Sequence, residues 1–400
     1  MTWGDRAVRG DDVTHTMTGI SNAIVLGVHS FATPHYKTGI QFIAEGLARR
    51  GVSVDYVSVP SSPFDVFGKE RRRRMGRVWG RMGRSPVLHP EKRLYEFAFP
   101  ALFPVHRLFV PGSFMLGAVS GSASGWFASR RYDLCVHDVG PTMVYMPLVQ
   151  AQRHILRLND APRGMDDLPG SLVRDLEHRL GQGFYDRVWA VSEPLAAHAQ
   201  RLAPDTPVDC IPNGFDAELF GCPADRTGRK PGTRAVYLGN RTAWLDVQLL
   251  RQAAALLPDW EFNCVGAGFA GESDRDNLRF LPPVSHTEVP ELLAGYDVGL
   301  LPYRDDAAHM ACVRRPLKFY EYVAAGLGVA CADVGGLRKG LEGWALFGTT
   351  PEEFAGAVVG SEQAIRAVPP ERRAAFLKDN AWNVRLDQMF GTLNMVRAEG

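Results

Sequence analysis

The chain has 400 residues, of which 46% are hydrophobic and 22% charged, with a formal net charge of +1. These are ordinary globular values; they exclude a disordered, collagenous or small disulfide-stapled chain, and near neutrality removes any global argument for nucleic-acid binding. The length exceeds what one hydrophobic core normally serves, so two domains of about 150 to 200 residues each are expected.

Residues 1–20 are polar, beginning MTWGDRAVRGDD, and read as a flexible leader without the apolar run of a signal peptide. No stretch offers the roughly 18 continuous apolar residues of a spanning helix. A cytoplasmic protein is therefore expected. The six cysteines (Cys135, Cys210, Cys222, Cys264, Cys312, Cys331) form no C-x-x-C pair and sit mostly in apolar runs, which predicts buried, reduced thiols.

NAIVLGVHS reads as a buried strand, FATPHYKTG as a loop, and IQFIAEGLARRG as a helix whose Ile40, Ile43, Ala44 and Leu47 share one face. VSVDYVSVP closes a β-α-β unit, the mark of a parallel sheet covered by helices. YDLCVHDV, RHILRLND and DRVWAVS continue the pattern, giving an N-terminal domain over 21–210. Residues 211–232, rich in Gly, Pro and Asp, read as a linker. The alternation restarts with TRAVYLGN and runs through WEFNCVGAG, NLRFLPP, TEVPELLAG, YDVGLLPY, PLKFYEYVAAG and GVACAD, a second domain over 233–378. Residues 379–400 return to helix, in a position to pack back on the first domain.

In open α/β sheets, ligands bind beyond the carboxyl ends of the strands. Asp160 ends RHILRLND; it can accept a proton from an attacking hydroxyl as general base, or cap a turn. Lys318 falls in the first turn of the helix PLKFYEYVAAG, where backbone N–H groups already favour anions, so it suits a diphosphate. Glu321, one turn on, can accept from sugar or ribose hydroxyls, or serve as an i, i+3 partner of Lys318. Tyr36, Lys37 and Gly39 lie in the loop before a helix N-terminus and form an acceptor or phosphate loop.

GAGFAG matches G-x-G-x-x-G after a strand, but ESDRDN follows where an apolar helix is required, which argues against nicotinamide or flavin binding. Asp274 and Asp276 form a D-x-D in a polar segment with no preceding strand, and no metal is expected. From Lys69 to Arg93 there are ten Lys or Arg residues against two acids. Met75, Val78, Trp79 and Met82 sit at helical spacing, so Arg72, Arg73, Arg74, Arg77 and Trp79 suggest a basic amphipathic helix on an anionic membrane surface; a solvated cationic helix is the alternative. Phe97, Phe99, Phe103 and Phe109 are placed to extend that contact.

IPNGFD, VYLGN, VGAG, YDVGLLPY and PLKFYEYVAAG resemble the donor domain of GT-B glycosyltransferases. VHSFATPHYKTGIQFIAEGLARRG and RLNDA are similar to the N-terminal domain of the xanthan-type glucuronosyltransferase (GumK-like) family. The resemblance, running from about Asn22 to Val396, implies an α/β GT-B fold: two Rossmann-like, doubly wound parallel-sheet domains facing a central cleft. It implies Asp160 as base of an inverting transfer and Lys318 on the donor diphosphate. Tyr303, Leu317, Glu321, Gly239, Asn240 and Gly266 would border the donor. Leu317 and Glu321 stand where that family has Met and Gln, and a carboxylate at 321 suits an acidic sugar poorly. The common retaining families carry two glutamates, and Val313 occupies the place of the first.

The expectation is a metal-independent, cofactor-free transferase that uses a UDP-sugar, with glucuronate the first candidate, and a glycan or polyprenyl-linked acceptor at the inner face of an anionic membrane. A retaining GT-B transferase or a nucleotide-sugar epimerase is the alternative enzyme. A glycan- or membrane-binding protein is the alternative outside catalysis.

Overall fold

The structure is a computed structural model that describes residues 19–31, 37–60, 87–89, 93–99, 105, 121–165, 168–221, 232–272, 275–305 and 308–395. Tyr36, Arg72, Arg73, Arg74, Arg77 and Trp79 lie outside the described residues, as do Phe103, Phe109, Cys222 and Asp274.

The first sheet contains β1 (Asn22–Leu26), β2 (Ser53–Val57), β3 (Val87–His89), β4 (Leu94–Phe97), β5 (Tyr132–Asp138), β6 (Ala151–Leu158), β7 (Arg187–Ala190) and β8 (Val208–Cys210). Its order is β3-β4-β2-β1-β5-β6-β7-β8. Every pairing is parallel except β3 with β4. Helices α1 (Gly39–Arg49), α2 (Gly121–Ala128), α3 (Gly170–Gly181) and α4 (Glu193–Leu202) cover its faces. Covering on both faces explains why β1 and β5 are buried along nearly their whole length rather than at alternate positions. At the start of α1, Gln41 Oε1 accepts from the Thr38 backbone N–H at 2.8 Å, fixing where the loop ends and the helix begins.

β4 corrects one expectation. Phe97 and Phe99, assigned above to a membrane contact, pack into the domain interior instead. Phe99 lies 5.2 Å from the Trp126 ring and 5.7 Å from Phe127, and Phe97 lies 4.5 Å from Trp126. The alternation of LYEF is a half-buried strand pattern, and aromatic burial against α2 outweighs exposure.

After a short α5 (Ala217–Phe220), the second sheet is built from β9 (Arg234–Leu238), β10 (Glu261–Val265), β11 (Leu278–Leu281), β12 (Val298–Leu301), β13 (Gly328–Ala332) and β14 (Leu346–Gly348). The order is β11-β10-β9-β12-β13-β14, all parallel. Around it lie α6 (Val247–Leu256), α7 (Val289–Ala294), α8 (Leu317–Ala324), α9 (Leu337–Leu341), α10 (Pro351–Arg366) and α11 (Pro370–Asp379). In each sheet the strand order reverses beside the first strand, between β1 and β5 and between β9 and β12, and such reversals open the crevices in which α/β proteins bind ligands.

The last helix, α12 (Trp382–Met395), returns to the first domain. Trp382, Leu386, Met389, Phe390 and Leu393 are buried together with Ile40, Ile43 and Leu47 of α1 and Trp189 of β7. Phe42 stacks on Trp382 at 4.8 Å, and Trp189 Nε1 donates to Thr392 Oγ1 at 3.1 Å. Each large apolar side chain buried this way contributes about 1.5–3 kcal/mol before ordering costs. The two segments that cross between the domains run side by side through a parallel bridge of Phe215 with Ala381.

Candidate active site between two sheets

β9 ends at Leu238, and the chain turns at Gly239 with φ +145°, a backbone conformation that glycine adopts without strain. The Tyr237 hydroxyl donates to the Asn240 carbonyl at 3.0 Å, and Asn240 Oδ1 accepts from the Ala267 N–H at 3.0 Å. At Gly266, a methyl group would lie 2.1 Å from the Gly239 carbonyl oxygen. The loops after β9 and β10 are thus held close to one another beside the sheet's switch point, where a methyl at Gly239 would lie 2.7 Å from Lys318 Nζ. Gly239, Asn240 and Gly266 therefore form one wall. Tyr303, buried after β12, and the start of α8 with Leu317 form the other.

Pro316 precedes α8, and the helix has no side-chain cap, so its first-turn amides suit an anion. Lys318 stands in this turn. Its ammonium donates to Tyr237 Oη at 3.1 Å and lies over the Tyr237 and Tyr303 rings, 4.2 and 5.5 Å from their centroids. Burial among these rings pushes its pKa down to about 8, the nearby Glu321 charge opposing the shift. Its hydrogen bond goes to the tyrosine, and Glu321 acts on it through the field.

The Glu321 carboxyl is raised above the usual range, chiefly by burial, with the charges of His286 and Lys318 pulling it back and that of Asp216 adding to the rise. Burial also works to raise Asp216, but the hydrogen bond with His286 Nε2 (3.4 Å) and the Lys37 charge outweigh it and leave that carboxyl low. Lys37 pairs with Glu45 at 2.8 Å and lies 4.0 Å from the Phe42 ring centroid. Glu321 and Lys37 thus meet, through Asp216 and His286, in one charged band along the hinge side of the cleft. Gly39 opens α1 beside it.

Across the cleft, Asp160 follows β6. Its Oδ1 accepts from the Ala161 N–H at 2.8 Å, so one oxygen caps its own turn. The same carboxylate acts electrostatically on Asp138 of the first domain and on Cys312 of the second, which places it between them. Asp138 and Arg157, at the ends of β5 and β6, form an ion pair of 2.9 Å with side chains 4% and 3% exposed. Burial raises the Asp138 carboxyl, and the guanidinium opposes the rise. A further pair, Arg314 with Glu193 at 3.7 Å, links the two domains.

Asp138, Arg157, Asp216, His286 and Tyr237 escaped the sequence reading, although Asp138 and Arg157 stand at strand ends like Asp160. Among the described residues no cluster of three His, Cys, Asp or Glu side chains is arranged to hold a metal ion. Asp276 is exposed. Cys135, Cys264 and Cys331 are buried thiols, Cys312 is half-buried and Cys210 exposed.

Residues 232–361 match the family model "Glycosyl transferases group 1". The match falls in the second domain and covers about a third of the chain. The chain is also 30% identical over 131 residues to the putative teichuronic acid biosynthesis glycosyltransferase TuaH of Bacillus subtilis (strain 168), a match covering 30% of this chain and 32% of that protein. The chain thus spans about a third of the length of this curated relative. Among solved structures, sucrose-phosphate synthase from Thermosynechococcus elongatus is similar over 95% of this chain and 100% of its own, with TM-score 0.66 and 16% identity. Anabaena HepE in complex with UDP and glucose is similar over 93% and 99%, with TM-score 0.61 and 14% identity. A mutant S. aureus TarM in complex with fondaparinux, α-GlcNAc-glycerol and UDP matches over 93% and 99%, with TM-score 0.60 and 8% identity. These likenesses establish the fold: two Rossmann-like domains in the GT-B arrangement, the family match lying in the second of them.

Proposed function

We propose that the protein transfers a sugar from a UDP-sugar to a glycan acceptor, and that it inverts the anomeric centre with Asp160 as general base. The observation that carries the reading is Lys318, a half-buried ammonium at an uncapped helix N-terminus beside the switch point of the second sheet. A cation whose hydrogen bond goes to a tyrosine hydroxyl in such a place suits the leaving diphosphate: ammonium and helix amides neutralise the charge that grows as the glycosidic bond breaks. This supply of positive charge requires no resident metal or cofactor. The UDP complexes of the similar HepE and TarM structures support the nucleotide, and the teichuronic acid relative supports a glycan acceptor.

In this reading the acceptor hydroxyl approaches from the first domain. Asp160 takes its proton as the oxygen attacks the anomeric carbon, and UDP leaves toward Lys318. Gly239, Asn240, Gly266, Tyr303 and Leu317 border the donor, while Glu321 accepts from its hydroxyls. Lys37, Gly39 and Tyr36 belong to the acceptor side. Glucuronate is the first candidate sugar and a lipid-linked, membrane-presented glycan the first candidate acceptor, with the basic segment around Arg72, Arg73, Arg74, Arg77 and Trp79 holding the protein to the inner face of an anionic membrane. Among the described residues no helix is long and apolar enough to cross a membrane.

Two measurements test the core of this. UDP and UDP-sugars are expected to raise the melting temperature, since a ligand at 100 times its Kd adds about 2.7 kcal/mol to the folded state. Asp160→Asn should leave UDP affinity within about twofold and cut turnover by about 10²-fold or more, because the amide keeps the shape but takes no proton. A panel in which no uridine nucleotide stabilises, or an Asp160→Asn enzyme of normal turnover, contradicts the reading.

A further inference from the structure

Arg157 is 2% exposed and touches both segments that cross between the domains. One guanidinium nitrogen, Nη1, donates to Asp138 Oδ1 at 2.9 Å, anchoring it in the first sheet. The other, Nη2, donates to Asn213 Oδ1 at 2.5 Å, in the segment that leaves the first domain. Its central carbon lies 6.0 Å from the Trp382 ring centroid, in the segment that returns. A methyl at Gly39 would sit 2.3 Å from Nη2 and 2.8 Å from Trp382 Cη2, so the start of α1 closes over the same spot.

The two crossing segments are tied to each other here. Phe215 N–H donates to the Asn380 carbonyl at 2.8 Å, and Trp382 N–H to the Phe215 carbonyl at 3.0 Å. From the second domain, Arg315 answers Arg157: its Nη1 donates to Asn380 Oδ1 at 3.3 Å and its Nε to the Gly340 carbonyl at 3.0 Å. Arg157 lies three residues before Asp160, and Arg315 three before Lys318. The hinge is therefore gripped by one arginine on the strand that carries the proposed base and by one on the segment that carries the proposed diphosphate ligand.

We propose that Arg157 is a positioning residue: through Asn213 it clamps the hinge and sets the angle at which the donor domain presents its sugar to Asp160. The clamp is a charge-assisted, buried hydrogen bond, of the kind that holds one geometry rather than many. Its catalytic consequence rests on the transferase reading; its mechanical consequence does not.

The test uses Asn213→Ala, which removes the acceptor while leaving the Asp138 pair intact, and Asn213→Asp, which restores an acceptor for Arg157. Single-molecule FRET between one dye on each domain of the full chain reads the inter-domain distance without ligand. Isothermal titration with UDP and donor-hydrolysis kinetics complete the set. A narrow distance distribution is expected for the wild type and Asn213→Asp and a broadened one for Asn213→Ala, with UDP affinity equal within about twofold in all three. Hydrolysis kcat should fall about tenfold in Asn213→Ala alone with KM unchanged, the factor that corresponds to about 1.4 kcal/mol. An Asn213→Ala distribution as narrow as the wild type overturns the clamp even where UDP binds normally. Broadening in a protein that binds no UDP supports the clamp and overturns the donor reading.

Discussion

Replacing Lys318 by methionine should make the free protein more stable and its UDP complex weaker. The group's pKa falls from 10.5 to about 8 on folding, and one pH unit corresponds to about 1.4 kcal/mol, so burying the ammonium costs at most on the order of 3 kcal/mol at neutral pH. Partial solvent access and the Tyr237 hydrogen bond reduce that ceiling. The sign follows from linkage. The unfolded chain binds this proton more tightly, so the cost is full below pH 8 and fades as pH rises from about 8 toward 10.5. Methionine removes it, and each kcal/mol recovered should raise Tm by about 2–4 °C in a domain of this size.

With UDP the sign reverses, because the diphosphate pairs only with the charged form. About nine-tenths of Lys318 is protonated at pH 7 and about one-tenth at pH 9, so UDP should bind about tenfold more weakly at pH 9. Lys318→Met should bind weakly at both. Titration calorimetry in buffers of different ionisation enthalpy would also show proton uptake on binding near pH 8 and above. A wild-type Kd that stays flat from pH 7 to 9, or a Lys318→Met protein that melts lower than the wild type, would refute the argument.

Gly266→Ala should weaken UDP binding by about tenfold or more while preserving the fold of the first domain, because its methyl would press on the Gly239 carbonyl at 2.1 Å and part the two loops that frame the crevice; calorimetry reads the loss, and wild-type affinity would show the loops dispensable. Neutralising Arg72, Arg73, Arg74 and Arg77 should release the protein from anionic liposomes, since each basic residue near such a surface adds about 1 kcal/mol. Rising salt should do the same to the wild type, and a protein that ignores anionic vesicles at low salt would place the acceptor in solution.

The central strands are the most legible in the sequence, with NLRFLPP (β11) legible at an edge. AIVL and VGLL are apolar throughout because both of their faces are covered, and that signal is strong. β3, β8 and β14 span three residues each at sheet edges, too short to carry a period. LYEF and the Phe99 that follows it are hidden for a different reason: a basic, Pro-broken neighbourhood suggests a surface, whereas the rings of Phe97 and Phe99 pack on Trp126 and Phe127 more than twenty residues on. The site shows the same division. Lys318 and Asp160 could be found because each stands at an element end, where chemistry is expected. Arg157, Asn213 and His286 carry no chemistry that the sequence singles out; the pairing of β5 with β6 sets Arg157 on Asp138, and the crossing of the chain between domains sets Arg157 on Asn213 and His286 on Asp216.

The docking of α12 on α1 has a consequence for biosynthesis. The apolar face of Ile40, Ile43 and Leu47 emerges from the ribosome early, yet its cover, Trp382 to Leu393, is made only after the whole second domain. Domains usually complete themselves in the order of their synthesis. Here the first to emerge is the last to be finished, and for most of translation it presents an uncovered apolar surface of the kind chaperones recognise.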